Sequence, residues 1–452
     1  MKIKKLAILL TTLITFSCSE KENINQDIDV FCQSGISEFN LNSLEEIQKF
    51  KNYLSVTPNC NNFNGSITIT DVALDNIEYE SLQFLKQLKV IEGSLHIHNV
   101  QNLKNLEGLS NLEKIGGSLI IGGNANLESL EKLFNLKIVK GSLIIGTNNK
   151  IENLKGLTNI NELTELVLSN NPLLKNIDGL TGLKKIKGVY NFGNHSGLII
   201  SQNKRLENLK GLSNLTQLGS LRVFENDLLQ NVEGLENIKG LFSIDLNNNK
   251  SLINIDAFSN VKDLGYLSIK NNQKLRNFEG LNNLETINEV FYLENITADF
   301  EANLFPKLKS LGDLQLKEIS NLKSNFNSFN GLVNLKQLSI KIINSPVLDG
   351  FEKVLEIKNM SISGNGFKEI SGFNSFKNGW SLVIEENKDL ELISGFKNLE
   401  NVSNWFVVKN NPKLSNCAIE PFCNFLKKGG GIIFENNSGN CNSSNDVLAN
   451  CK

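Results

Sequence analysis

The sequence predicts an α/β-type repeat solenoid that is dominated by one parallel β-sheet of about 16 stacked strands. Three observations support this fold class. A short motif recurs at a near-constant step, each copy contains an alternating apolar strand, and six of the seven cysteines lie near the two ends of the repeat region. Because a solenoid must cover both ends of its core, we expect an N-terminal helical cap and a disulfide-rich C-terminal cap.

The repeat is evident when residues 102–124, 126–148 and 205–226 are aligned. They share the unit L-x-x-L-x-G-L-x-x-L-x-x-I-x-G-S-L-x-I-x-x-N. Self-similarity at such a period is the signature of stacked supersecondary units. The apolar residues that open the predicted strands are Ile67, Leu95, Leu119, Leu143, Leu166, Leu198, Leu221, Ile244, Leu267, Val290, Leu314, Leu338, Met360, Leu382, Phe406 and Ile432.

Each unit contains a strand and a return leg. The L-x-I segment alternates with a period of two, which predicts a strand with one buried face. The L-x-x-L-x-G-L-x-x-L segment spaces its apolar residues by three, which indicates a short helical or turn-like return. A single unit cannot bury these residues alone, so neighbouring units must share a continuous core. Sixteen strands about 4.8 Å apart give a body roughly 70 Å long.

An asparagine follows the strand opener by five positions in most units. It occurs at Asn124, Asn148, Asn171, Asn203, Asn226, Asn249, Asn272, Asn295, Asn365, Asn387, Asn411 and Asn437, and Ile319 and Ile343 interrupt the series. A constant phase predicts an internal ladder in which each amide satisfies buried backbone groups of the turn.

Two segments carry a family resemblance. Residues 163–171 and 218–226 fit the leucine-rich repeat signature L-x-x-L-x-L-x-x-N, and the G-S-L-x-I-x-x-N variant of the first units resembles the receptor L domain. The resemblance covers about residues 65–440. It implies the solenoid fold and the use of its surface for ligand binding, without specifying a ligand.

The N-terminal segment resembles the leader of a surface lipoprotein of Bacteroidota type. Residues 1–17 have lysines, a short apolar run and a small residue before Cys18, which predicts a cleaved signal peptide and lipidation of Cys18. Polar residues 18–30 predict a flexible tether. We expect an outer-membrane lipoprotein displayed at the cell surface; the alternative is an ordinary cleaved signal followed by an incidental cysteine.

The segment after the tether is predicted to form the N-terminal cap, at residues 31–64. Residues 37–54 space their apolar side chains as a helix does, and a disulfide between Cys32 and Cys60 would fix that helix. The solenoid itself is expected to span residues 65–411.

The last four cysteines define the predicted C-terminal cap, residues 412–452. Sequence alone allows three connectivities for four cysteines. The segment resembles the cysteine-rich C-terminal caps of leucine-rich repeat proteins, and this resemblance implies the pairs Cys417–Cys441 and Cys423–Cys451.

Two regions break the repeat. Residues 187–197 form an insertion that contains Tyr190, Phe192 and His195, and residues 296–350 lose the consensus of the return leg. Insertions in repeat proteins fall in loops, often near a binding face. Tolerated sequence drift in a surface loop is the alternative.

Strand alternation predicts which side chains face solvent. Ile120, Ile144, Val167 and Ile199 are expected to form an exposed apolar column, which a further layer of chain or β propensity could also explain. Exposed aromatic and charged residues near the middle of the stack indicate recognition of protein or glycan. The candidate ligand-binding residues are Arg222, Phe224, Asp245, Tyr266, Lys270, Phe291 and Leu293.

Signatures of catalysis are absent from the sequence. No nucleophile elbow, P-loop or dinucleotide fingerprint occurs, and His96 and His98 share a strand face without a nearby cysteine. We therefore expect no metal and no cofactor. A polysaccharide-active enzyme is the least favoured alternative; its closest acid pair, Asp245 and Glu289, would lie two strands apart, roughly 10 Å.

The formal net charge of −2 gives no electrostatic basis for binding nucleic acid. We expect a monomeric module that binds an extracellular protein or glycan, and that contacts the membrane only through its N-terminal lipid. The alternative is a structural or assembly partner of an envelope complex.

Overall fold

The computed structural model describes residues 32, 37–56, 59–70, 82–188, 190–191, 194–195, 197–276, 278–297, 304–319, 327–341 and 343–452. The predicted signal peptide, lipidation site Cys18 and tether lie outside the described residues, as does Phe192 of the insertion. None of the described helices is long and apolar enough to cross a membrane.

One sheet of 17 parallel strands forms the body of the protein. Each strand pairs with the next along the chain, as expected for stacked units. The strands are β1 Glu38–Leu41, β2 Ser66–Thr70, β3 Leu95–His98, β4 Leu119–Gly122, β5 Ser142–Gly146, β6 Glu165–Ser169, β7 Leu198–Ser201, β8 Ser220–Phe224, β9 Ser243–Asn247, β10 Asp263–Lys270, β11 Thr286–Glu294, β12 Ser310–Lys317, β13 Asn334–Lys341, β14 Glu356–Ser363, β15 Asn378–Glu385, β16 Asn401–Lys409 and β17 Ile433–Glu435.

The parallel solenoid predicted from the repeat is confirmed, with one strand more than the sixteen openers gave. The extra strand is β1, which pairs with β2 through Phe39↔Ile67 and Leu41↔Ile69. Our assignment of residues 37–41 to a helix is therefore wrong. Phe39 and Leu41 alternate with polar neighbours, and the exposed edge of β2 offers them backbone partners that a helix would not use.

Short elements complete each return leg. Single turns of 3₁₀ helix lie at Gln83–Leu85, Glu107–Leu109, Glu131–Leu133, Asp178–Leu180, Lys210–Leu212, Asp256–Phe258, Glu279–Leu281 and Asn327–Phe329. Two-residue strands form small parallel sheets at Asn62–Phe63, Val90–Ile91, Lys114–Ile115 and Ile138–Val139, at Glu162–Leu163, Lys185–Ile186 and Gln217–Leu218, and at Val347–Leu348, Glu369–Ile370 and Leu392–Ile393. Apolar residues of both legs enclose one continuous core.

The described part of the insertion forms a small hairpin. Tyr190–Asn191 pairs antiparallel with Asn194–His195, and the chain then enters β7 in register with β6. The extra residues therefore leave the stack and return to it without disturbing the main sheet.

The predicted asparagine ladder exists; its amides, Asn272 included, are buried, apart from the half-buried Asn437 at its C-terminal end. The Nδ2 of Asn226 donates to the Ile200 carbonyl at 2.9 Å, and its Oδ1 accepts from the backbone N–H of Asn203 at 3.0 Å. Asn124, Asn148, Asn171, Asn203, Asn249, Asn365, Asn387 and Asn411 make equivalent contacts. Each amide thus joins adjacent turns whose backbone groups water cannot reach.

Asn295 is not part of this ladder, contrary to the sequence interpretation. It occupies the preceding turn position, with a φ of 49° like the 53° of Asn271, and the ladder position is the buried Ile296. Three consecutive turns therefore carry isoleucine, at Ile296, Ile319 and Ile343, and Val100 holds the ladder position after β3, where most of the described turns carry the amide. Replacing a buried polar pair with apolar groups is tolerated when no polar partner is left unpaired.

A phenylalanine stack fills the core of the later units. The rings of Phe305, Phe329, Phe351, Phe373 and Phe396 follow one another at centroid distances of 5.8, 5.4, 4.9 and 5.3 Å. Leucine holds the equivalent place in most of the earlier units, except at the buried Phe258, so the larger rings bury more apolar area in the later units.

Both ends of the core are covered and cross-linked. Helix α1, Leu44–Val56, begins after Ser43, whose Oγ accepts from the Glu46 N–H at 3.2 Å, and it packs Phe50 against Phe39 at 4.8 Å. Cys32 bonds to Cys60.

At the other end, α2 Glu420–Lys427 and α3 Ser444–Ala449 carry the disulfides Cys417–Cys441 and Cys423–Cys451, which are the pairs that the resemblance implied.

Candidate ligand-binding face

The outward face of the main sheet is an array of side chains in columns, because the strands pair without offset over most of the stack. The central column contains Thr68, His96, Ile120, Ile144, Val167, Ile199, Arg222, Asp245, Ser268, Tyr292, Gln315, Ser339, Ser361, Val383, Val407 and Ile433. Residues two positions later form a second, parallel column. The face therefore presents a fixed pattern of chemistry to solvent.

The apolar column predicted at β4 to β7 is present. Ile120, Ile144, Val167 and Ile199 lie opposite one another on adjacent strands and are half-buried. We call these four residues the apolar strip; the same column continues to Arg222 on β8.

The middle of the stack carries a cluster of aromatic and charged side chains, which we call the mid-stack patch: Arg222, Phe224, Asp245, Tyr266, Lys270, Tyr292 and Glu294. The Arg222 guanidinium lies over the Phe224 ring, 5.8 Å from its centroid, and its Nε is 3.8 Å from Asp245 Oδ2. The Lys270 ammonium lies 4.4 Å from the centroid of the Tyr292 ring. Both rings are thus held in place by cations.

Hydrogen bonds fix the far side of the patch. The Tyr292 hydroxyl donates to Glu294 Oε2 at 2.7 Å, and Lys317 forms an ion pair with the other carboxylate oxygen. Burial and this hydrogen bond raise the pKa of Tyr292 to about 12. Burial alone would raise the pKa of Glu294, but the Lys317 ammonium and the Tyr292 hydroxyl hold it below its usual range.

Two acceptors in the patch lack partners among the described residues. Asp245 Oδ1 and Asn247 Oδ1 are covered by their neighbours and make no hydrogen bond there. Burial also raises the pKa of Tyr266, on the next strand. Unpaired buried acceptors next to aromatic rings are costly in an isolated protein and cluster where ligands or water supply the missing donors.

Phe291 and Leu293 were predicted to face solvent, and both assignments are wrong. Each is fully buried, and the Phe291 ring packs against Phe305 at 5.1 Å. The cause is a bulge: Asn288 and Glu289 together lie opposite the single residue Gly265, which shifts the register by one. Tyr292 is consequently the outward residue that the sequence interpretation missed.

The signal for this register was present in the sequence. Phe291-x-Leu293 aligns with Leu267-x-Ile269 when Asn295 is matched to Asn271, the position that takes a positive φ in most units. The sequence interpretation matched Asn295 to the ladder position. This error of one residue assigned every side chain of β11 to the wrong face of the sheet. Glu289 lies exposed in the bulge and not in the strand face, so it does not form a pair with Asp245 across the sheet.

The two outward histidines lie near the start of the stack. His98 Nδ1 is 3.0 Å from the Thr70 hydroxyl, and burial lowers the pKa of His96. In the part of the chain that the structure describes, no group of three or more histidine, cysteine or acidic residues is arranged to hold a metal ion.

The comparison with family models agrees with the architecture. The model of the Receptor L domain family matches residues 59–133 and 135–237, which together are less than half of the chain. No curated protein matches. Among solved structures, the crystal structure of a TLR13–ssRNA13 complex is similar at 19% identity and a TM-score of 0.26. The alignment covers 84% of this chain and 68% of the chain in that structure.

The fold is that of a leucine-rich-repeat or L-domain-like solenoid, as its parallel sheet and repeat geometry show. Such folds commonly serve ligand or protein binding. The fold alone does not specify which residues bind a ligand.

Proposed function

We propose that this protein is a cell-surface lipoprotein that binds a protein or glycan ligand through the outward face of its solenoid. The mid-stack patch carries the proposal. It combines two cation-supported rings, Phe224 and Tyr292, with acceptors at Asp245 and Asn247 that have no partner among the described residues. Aromatic and arginine side chains are enriched in binding hot spots.

The rigidity of the face supports the same function. Its side chains stand on strands that are paired on both sides, and Arg222 and Lys317 each form an ion pair with a neighbouring carboxylate. A surface of this kind loses little conformational entropy on binding, so more of the contact energy appears as affinity.

The sequence of the N-terminal segment supports an anchored display surface. A signal peptide, a candidate lipidation site at Cys18 and a polar tether would hold the solenoid away from the membrane. We expect metabolic labelling with palmitate to tag the wild-type protein, and Cys18→Ala to abolish the label. Persistent labelling of the variant would contradict lipidation at this residue.

Binding without catalysis is the expected activity. A glycan and protein array probed with the soluble form, residues 19–452, tests it: we expect discrete ligands whose capture is reversible and leaves them intact. The same preparation should release no reducing sugar from polysaccharides. An array without any ligand, or steady release of reducing sugar, would contradict the proposed function.

A further inference from the structure

A second feature of the outward face lies nearer the C-terminus, on β12 to β15. It is a shallow depression of about 310 Å³ with small side chains, Ser339 and Ser361, at its centre. One wall is a column of polar residues on consecutive strands: Asp313, Gln337, Asn359 and Ser381. We call this column and the depression beside it the amide groove.

The polar wall of the amide groove is internally connected. Gln337 Nε2 donates to Asp313 Oδ2 at 3.2 Å, and Asn359 Nδ2 donates to Gln337 Oε1 at 3.0 Å. Each amide uses one of its N–H bonds in this chain. Within the described residues, the second N–H of each amide and the carbonyl oxygen of Asn359 make no hydrogen bond to the protein.

The two tryptophans of the sequence lie next to the polar wall of the groove, outside the residues that line the depression. Trp405 continues the Asp313 column, because it pairs with Ser381 on the neighbouring strand, and Trp380 directly precedes Ser381. The side chains of Trp380 and Trp405 are 50% and 55% exposed. Large indole rings are rarely left in water on a monomer without a partner, so two on adjacent strands indicate a contact surface.

We propose that the amide groove binds a neutral oligosaccharide, with the tryptophans as stacking platforms and the amide column as the hydrogen-bonding wall. This inference rests on the proposed function of the face and names a ligand class for a separate part of it. A sugar ring has an apolar C–H side that packs on an indole. Its hydroxyl groups both donate and accept, as amide and serine side chains also do.

The charge of the lining favours a neutral ligand. Among the described lining residues only Asp313 is charged, and it already accepts a hydrogen bond from Gln337. In the adjacent column, Lys317 pairs with Glu294 and Lys409 pairs with Glu385 at 3.3 Å, while the exposed Lys341 lies outside the residues that line the groove. An anionic polysaccharide would meet no dedicated counter-charge in the groove.

The groove has the length of a short chain of sugars. Five consecutive strands, from Asp313 on β12 to Trp405 on β16, extend it by about 19 Å at the usual strand spacing.

Intrinsic tryptophan fluorescence tests the proposal directly, because both tryptophans of the chain lie at the site. The soluble form is titrated with the neutral hexasaccharides cellohexaose, laminarihexaose, maltohexaose and xylohexaose, and with charged hexasaccharides of alginate and chondroitin sulfate. We expect at least one neutral sugar to give a saturable change in emission. Single-tryptophan variants, Trp380→Phe and Trp405→Phe, should each keep part of the signal.

Variants of the wall establish where the sugar lies. Calorimetric titration of Trp405→Ala and Asn359→Ala should show affinity at least about tenfold weaker than wild type, whereas Phe134→Ser, an exposed return-leg residue, should match it. The melting temperature of each variant shows that it is folded. The inference is overturned if no neutral sugar binds, if only charged sugars bind, or if Trp405→Ala and Asn359→Ala bind normally.

A negative result for the amide groove does not by itself reject the proposed function. If the array ligands are still captured through the mid-stack patch while all neutral hexasaccharides fail, the amide groove alone is rejected. If neither the array nor the hexasaccharides give binding, the proposed function is rejected as well.

Discussion

At the scale of single residues, the buried amides of the ladder are the costliest to replace. Removing the Asn226 side chain leaves the Ile200 carbonyl and the Asn203 N–H without partners in a region that water cannot enter. Each unpaired group costs about 1–3 kcal/mol, so Asn226→Ala should lose about 2–5 kcal/mol of stability. Hydrogen exchange of β7 to β9 and the thermal midpoint measure this loss.

Asn237 provides the matched control. Its amide donates to the Ser213 carbonyl at 2.8 Å on the exposed return leg, where water can replace the lost contact. Asn237→Ala should therefore change stability by about 0.5 kcal/mol at most. Equal effects of the two substitutions would show that the ladder is not a buried, water-free network.

The register of β11 is also a residue-scale claim. Phe291 is fully buried against Phe305, whereas Tyr292 lies on the outward face. Phe291→Ala should therefore destabilise the protein by about 3–5 kcal/mol, as phenylalanine truncations in cores do. Tyr292→Ala should cost no more than about 1 kcal/mol. Chemical denaturation compares them, and the reverse ranking would restore the register that the sequence suggested.

Strand alternation placed Arg222, Phe224, Asp245, Tyr266 and Lys270 on the outward face, where the structure also has them. It failed at Phe291 and Leu293 because alternation alone cannot locate a bulge, and an error of one residue reverses every side chain that follows. The amide groove was missed for another reason. Its residues are spread over 93 positions of sequence, and only the stacking brings Asp313 and Trp405 into one column.

At the scale of elements, the caps decide whether the solenoid is closed. The N-terminal cap was expected to be one helix, but its first residues form β1, which adds a strand to the sheet before α1 covers the end. Over so short a segment, apolar residues spaced three or four positions apart do not distinguish a strand from the first turn of a helix. The edge of β2 selects the strand, because it supplies backbone partners along its whole length.

The cystine between Cys32 and Cys60 joins this cap to the first return leg. It closes a segment of 28 residues, for which chain-entropy arguments give about 3–4 kcal/mol. We therefore expect the double variant Cys32→Ser/Cys60→Ser to lower the thermal midpoint and to increase proteolysis of residues before β2. A control variant, Ser55→Ala on the exposed side of α1, should leave both unchanged. Unchanged proteolysis of the double variant would show that the cap is held without the disulfide.

At the scale of the whole molecule, a single sheet of 17 strands presents one long, pre-formed surface. The apolar strip, the mid-stack patch and the amide groove follow one another along it, so different parts of one ligand, or different ligands, can be bound in parallel. Contacts at several such sites raise the effective affinity without any change at a single site.

The central claim is that this outward face, through its mid-stack patch, is the ligand-binding surface. The direct measurement compares two double variants of the soluble form by their affinity for the ligands that the glycan and protein array identifies. Phe224→Ser/Tyr292→Ser alters the face, and Phe134→Ser/Ile253→Ser alters return-leg residues that are 49% and 45% exposed. We predict that the first loses at least about tenfold in affinity while the second binds as wild type does. Loss of binding in the return-leg variant, with the face variant unaffected, would contradict the account.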